Sequence, residues 1–184
     1  MRNILLTSNG FENPRLAEKF IELVGKRPED MRCLFIPTAA IDVAAIEVLP
    51  KCLHDLLDLG VPAAQILVYD LHETMNERQL CAFDAVYVAG GDTRYLLRRM
   101  KEAGFDTALK SFYETDGVYV GVSAGSVAAA ANYPDGLRFI PCALHVHCEK
   151  GTAPGVADLT QCNEICLSAA QAVCIEGETC MIME

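Results

Sequence analysis

The sequence predicts an α/β fold: a single three-layer domain in which a mostly parallel sheet is covered by helices on both faces. Three observations lead there. Short aliphatic and β-branched runs recur along the chain, and segments with apolar residues at three- and four-residue spacing separate them. The runs are continuous rather than alternating, as befits strands buried on both sides. At 184 residues, with 52% hydrophobic and 22% charged residues, one domain over residues 1–184 accounts for the whole length, and disorder is excluded.

The elements follow in order. Ile4-Leu5-Leu6-Thr7 is the first strand. Asn13-Pro14 supplies an N-cap and a first-turn proline, and Leu16, Phe20, Leu23 and Val24 mark one helical face up to Gly25. Cys33-Leu34-Phe35-Ile36 is a second strand stopped by Pro37. Leu53, Leu56 and Leu57 stripe a helix ending near Gly60, with Pro50 leaving its start open. Ile66–Tyr69 and Ala85–Val88 are the third and fourth strands. Asp92 or Thr93 caps a helix with the apolar face Leu96, Leu97 and Met100, and a second helix covers Thr107–Thr115. Val118–Gly121 is the fifth strand, and the alanine-rich stretch from Ala124 to Asn132 is the helix leaving it. Beyond Gly136 the pattern offers three extended segments, Ala143–Cys148, Ala172–Ile175 and Thr179–Met183.

Charge and composition narrow the partners. Fifteen basic against twenty-five acidic side chains give a net charge of -10, and no basic patch is visible, so nucleic acid and anionic membrane are not expected partners. The apolar run in Met1–Ser8 is too short for a signal peptide, and no stretch approaches the ~20 apolar residues of a membrane span, so a cytoplasmic location is expected. Nine cysteines in such a chain read as reduced thiols, mostly core filler.

Gly121-Val122-Ser123-Ala124-Gly125 matches G-x-S-x-G between an apolar strand and a small-residue helix. In such an elbow the serine occupies a strained turn and its hydroxyl projects at the carboxyl end of the sheet. The Ala124 amide then stands at a helix N-terminus, where unpaired N–H groups favour developing negative charge. A second donor should come from another strand-to-helix loop, and Ala89-Gly90-Gly91-Asp92-Thr93 is the upstream candidate. Neither phosphate-binding glycine motif is present.

A serine nucleophile needs a base. Of the four histidines only His145 and His147 follow the elbow, and in an extended segment both project from one face, so periodicity does not choose between them. The base needs an acceptor: Asp135 gives the order Ser, acid, His, and Glu176 gives Ser, His, acid. A rival zinc set of His145, His147, Cys148, Cys162 and Cys166 lacks the usual pair spacing, and no metal is expected.

With Val88–Thr93, Gly121–Ser126 and Val146-His147-Cys148 in view, the chain resembles the serine peptidase family of dipeptidase E (aspartyl dipeptidase) and cyanophycinase, within the class I glutamine amidotransferase-like (flavodoxin-like) fold group. The resemblance implies Ser123 as nucleophile, His147 as base, the Gly91 and Ala124 amides as oxyanion hole, and Glu176 as the third member, with Asp135 the alternative acid. It further implies a small peptide substrate, an acyl-enzyme, no cofactor, and a monomer or homodimer. Two departures bear on specificity. The segment from Glu149 to Gly155 lacks the arginine with which aspartyl dipeptidases hold the substrate aspartate, and Asp92 adds negative charge where they usually carry asparagine. Gly90, Asp92, Thr93 and Arg94 form the expected substrate-binding set, with Arg94 as a replacement carboxylate anchor. The other expectation is a regulatory peptide- or small-molecule-binding module of the same fold without turnover.

Overall fold

A computed structural model describes residues 3–184; Met1 and Arg2, which open the amino-terminal run, lie outside the described residues. β1 (Asn3–Thr7) leads into α1 (Pro14–Val24), whose N-cap Asn13 accepts from the Arg15 amide and whose end is capped by Gly25. β2 (Cys33–Ile36) is followed by α2 (Val43–Leu57). This helix starts well upstream of its leucine stripe and runs through Pro50. Asp42 caps it by accepting from the Ala45 amide at 2.9 Å, so seven residues of helix precede the proline.

β3 (Ile66–Val68) comes next, and α3 (Glu77–Leu80) is a single turn that the apolar pattern does not reveal. Asn76 and Gln79 build it as a reciprocal capping box. β4 (Ala85–Val88), α4 (Thr93–Glu102), α5 (Phe105–Tyr113), β5 (Val118–Val122) and α6 (Ala124–Ala129) follow, the last shorter than its alanine run. The third region of the chain supplies β6 (Ala143–His145), β7 (Gly155–Val156), β8 (Glu164–Cys166), β9 (Ala172–Glu176) and β10 (Thr179–Met183). The expected extended run to Cys148 stops at His145, because His147 takes a φ of 57° and leaves the strand. The two histidines are therefore not partners on one strand face.

Eight strands form one sheet in the order β3-β2-β4-β5-β1-β9-β10-β7. The first five run parallel, and β9, β10 and β7 close the far edge antiparallel. β6 and β8 pair in parallel as a separate two-stranded sheet. Successive side chains of the central strands go to opposite faces. Ile4, Leu6, Leu34, Ile36, Val86, Val88 and Tyr119 pack in one core layer with α4, α5 and α6, while Leu5, Cys33, Phe35, Tyr87, Val118 and Val120 pack in the other with α1 and α2. The three-layer arrangement is that of the expected α/β class. Among the described residues no helix is long and apolar enough to cross a membrane.

Candidate active site

The loops leaving β1, β2, β4 and β5 meet at the carboxyl ends of the parallel strands, where open α/β sheets collect ligands. Ser123 follows β5 directly and holds φ 48°, ψ -105°, a conformation non-glycine residues seldom adopt. Four contacts fix this bend. The Ser123 amide donates to the Thr7 carbonyl at 3.0 Å, and Ser126 Oγ lies 2.7 Å from both the Thr7 and the Gly121 carbonyl oxygens. Thr7 Oγ1, fully buried, donates to the Gly121 carbonyl at 3.2 Å.

The flanking glycines are required by close approach. A Cβ on Gly125 would lie 2.3 Å from the Val88 carbonyl oxygen, and one on Gly121 would lie 2.7 Å from the backbone of Gly125 and Ser126. The first turn of α6 is thus pressed against β4 by the absence of one side chain and against β5 by the absence of the other, which aims Ser123 out of the sheet.

The glycine pair after β4 lies against the elbow. A Cβ on Gly90 would meet Ser123 Cβ at 3.2 Å. Gly91, at φ 137°, leaves no room for a side chain beside Ala39, whose carbonyl accepts from the Asp92 amide at 2.7 Å. Among the described residues the Gly91 amide has no protein acceptor, and Ala124, as the first residue of α6, has none within its helix.

His147 reaches this point from the segment after β6. Its Nε2 is 2.9 Å from Ser123 Oγ. Its other face is held by one hydroxyl: Ser8 Oγ accepts from the His147 amide at 2.8 Å and lies 3.4 Å from Nδ1. Ser8 follows β1, is fully buried, and was not anticipated from the sequence. With the ring proton on Nδ1, the second lone pair of Ser8 Oγ can accept it, leaving Nε2 free to accept from Ser123.

The structure does not bring either expected acid to the ring. Glu176 ends β9 in register with Asn3 and Val118, whereas Ser123 follows Val122, which aligns with Thr7 and Ala172. Four residues of strand, about 13 Å, separate the two rows. At that opposite end Glu176 accepts from Lys19 Nζ at 2.8 Å, and the Ile175-Glu176-Gly177 run is the end of β9 and the start of its turn into β10. Asp135 is exposed in the turn after α6 and makes no hydrogen bond or ion pair among the described residues. His145 is turned away and pairs with Glu164 at 3.4 Å. Among the described residues no group of three or more His, Cys, Asp and Glu side chains could hold a metal ion.

A cavity of about 380 Å³ opens beside Ser123 and His147, within the ~300–1,000 Å³ range of small-molecule sites. Gly90, Gly91, Val122, Ser8 and Asn9 line one side; Ala45, Val48, Leu49, Lys51 and Cys52 of α2 form the other. Of the expected substrate-binding set, Gly90 lines the cavity, as does Gly91 of the expected oxyanion hole, but Asp92, Thr93 and Arg94 do not. The Asp92 carboxylate is spent on capping α4, accepting from the Tyr95 amide at 2.7 Å, and the Arg94 guanidinium lies 5.8 Å over the Tyr133 ring.

Beneath the cavity, Asp55 Oδ2 accepts from the Phe11 amide and the Tyr87 hydroxyl. Burial pushes the Asp55 carboxyl above its ordinary value, against the opposing pull of those donors and of Lys51. Burial likewise raises the Cys52 thiol above its ordinary value.

Fold and geometry together define an α/β protein of the nucleophile-elbow class. Within that class the kinship is specific: the profile of peptidase family S51 matches residues 4–135, and the chain belongs to that family. It is 32% identical over 136 residues to the uncharacterized peptidase Lmo0363 of Listeria monocytogenes, covering 72% of this chain and 62% of that protein. It is 33% identical over 107 residues to the uncharacterized peptidase YgaJ of Bacillus subtilis, covering 54% and 42%. The matched stretch thus spans less than two thirds of the length of these curated relatives. The fold is shared with a Listeria monocytogenes EGD-e protein provisionally named peptidase E (TM-score 0.72, 22% identity, 100% of this chain and 98% of that one). It is shared as well with a peptidase from an acI-B1 Actinobacterium (TM-score 0.70, 17% identity, 98% and 86%).

Proposed function

We propose that this S51 family member is a serine-type peptidase acting on small peptides through an acyl-enzyme on Ser123. The observation that carries the reading is the 2.9 Å contact between Ser123 Oγ and His147 Nε2 at a strained strand-to-helix bend. In this account His147 Nε2 takes the hydroxyl proton as Ser123 Oγ attacks the peptide carbonyl carbon. The Gly91 and Ala124 amides receive the negative oxygen, which a ground-state carbonyl engages less strongly. His147 then protonates the leaving amine, and water, deprotonated by the same nitrogen, releases the acid and restores the serine.

Ser8 takes the place usually given to an acid. It orients the ring by accepting from the backbone amide and Nδ1, but as a neutral hydroxyl it contributes less to the imidazolium than a carboxylate does. The same feature supports the second reading, a binding module without turnover. If Ser8 Oγ–H donates to Nδ1, the ring carries its proton on Nε2 and cannot accept from Ser123. A dipeptide hydrolysis panel run with wild type and Ser123→Ala separates the two. The peptidase reading expects turnover lost in the variant; peptide binding with no turnover in either protein favours the module.

A further inference from the structure

The α2 wall of the cavity has a chemistry of its own. Ala45, Val48, Leu49, Cys52 and Leu56 recur at three- and four-residue spacing and share one helical face. The lower half of that face, Cys52 and Leu56, is buried in the core between α2 and the sheet. The upper half, Ala45, Val48 and Leu49, looks across the cavity at the Gly90–Gly91 loop and Ser123. One continuous apolar stripe is therefore packed at its base and open at its top. Val48 remains 50% exposed, and Ile46 beside it 51%.

Charge at the same site is already balanced. Lys51 is the one formally charged side chain among those lining the cavity, and its ammonium is ion-paired with Glu12. The pair compensates the cation, so an incoming acidic side chain would have to displace Glu12, and a basic one would find no free anion on the wall. The burial-raised Cys52 thiol stays neutral and adds to the apolar floor.

From this we infer that the substrate residue seated against α2 carries an apolar side chain of valine-to-methionine size, with Val48 and Leu49 as the specificity-determining residues. The inference rests on the serine peptidase reading for its occupant: Ser123 and His147 line the same cavity, so what fills it lies next to the reacting atoms. Seating such a side chain completes the stripe that Cys52 and Leu56 begin, whereas an acidic or basic side chain would be desolvated there without a partner.

The test uses six dipeptides, Leu-Gly, Asp-Gly, Lys-Gly, Gly-Leu, Gly-Asp and Gly-Lys, so that each position is varied alone. The inference expects kcat/KM for leucine to exceed that for aspartate and lysine at one of the two positions by at least about 10-fold, the scale at which hydrophobic pockets discriminate. Val48→Lys should cut that leucine-to-aspartate ratio by about 10-fold or more, and because Val48 is half exposed the variant keeps its fold. Equal rates for leucine and aspartate at both positions, or a ratio unmoved by Val48→Lys, overturn it. Calorimetric binding of the same six peptides to Ser123→Ala reads the preference without turnover. A tighter leucine peptide in that experiment sustains the apolar wall even if no peptide is hydrolysed, in which case only the peptidase reading fails. If Val48→Lys converts a dimer to a monomer and leaves peptide selectivity unchanged, the wall is an interface between copies and the inference is wrong.

Discussion

Replacing Ser8 with alanine removes one oxygen that holds two atoms of His147. The amide donor at 2.8 Å loses its acceptor, and Nδ1, 3.4 Å away, loses the only protein group that fixes the ring from that side among the described residues. His147 itself is exposed, so water can take over the amide, and the stability cost should stay near that of one ordinary hydrogen bond, about 0.5–1.5 kcal/mol. For a chain of this length that is a fall in Tm of roughly 1–6 °C. Activity should suffer more than stability. His147 sits at φ 57°, a conformation that must be held from outside, and a displacement of about 1 Å at a reacting group can cost about 100-fold.

We therefore expect Ser8→Ala to lower kcat by about 10- to 100-fold, or about 1.4–2.7 kcal/mol of transition-state stabilisation, with KM changed little. Steady-state kinetics on the best dipeptide, alongside a thermal melt, measures both. A merely structural Ser8 would lower Tm and the active fraction while leaving kcat per titrated active site intact. That outcome, or wild-type kinetics outright, refutes the role assigned to Ser8.

Three further outcomes follow from the same geometry. Gly125→Ala places a Cβ 2.3 Å from the Val88 carbonyl oxygen and should cost about 1–3 kcal/mol, several degrees in Tm by calorimetry; an unshifted melt contradicts the packing described for the elbow. Because the fold raises the Asp55 carboxyl above its ordinary 3.8, its contribution to stability is full below that value and is lost as pH rises through the raised one. Asp55→Asn, which keeps an acceptor for Phe11 and Tyr87, should then lose less Tm than wild type as pH rises above about 4, and parallel Tm–pH curves would contradict this. Burial pushes Cys33 and Cys180 up to about 12 and Cys142 and Cys174 to about 11, so iodoacetamide mass mapping of native protein should find exposed Cys81 modified and these four spared until unfolding.

What the sequence reveals depends on how local the cause is. The parallel core was legible because each strand is a short run whose neighbours bury it on both faces, as Ile4–Thr7 and Ala85–Val88 show. The elbow was legible because close backbone approach demands glycine at 121 and 125 whatever surrounds them. The extent of α2 was not, since Asp42 capping and a stripe shared between core and cavity outweigh the disruption expected from Pro50.

The third member of the site was hidden for a different reason. Which side chain meets Nδ1 depends on strand register and on the φ of His147, neither of which spacing encodes. Register sends Glu176 to the amino-terminal end of β1, and the loop after β1 delivers Ser8 instead. One signal was available: Ser8 and Asn9 follow the first strand at its carboxyl end, the rim where such sheets gather their working residues. The short strands β7 and β8 carried no periodicity long enough to read.

The most direct test of the central claim is intact-mass analysis after treatment with a fluorophosphonate, which phosphonylates an activated serine and expels fluoride. A single adduct mapping to Ser123, formed by wild type and lost in Ser123→Ala, is the predicted result. Folded wild-type protein that takes up no adduct, or carries it on another residue, would contradict the account.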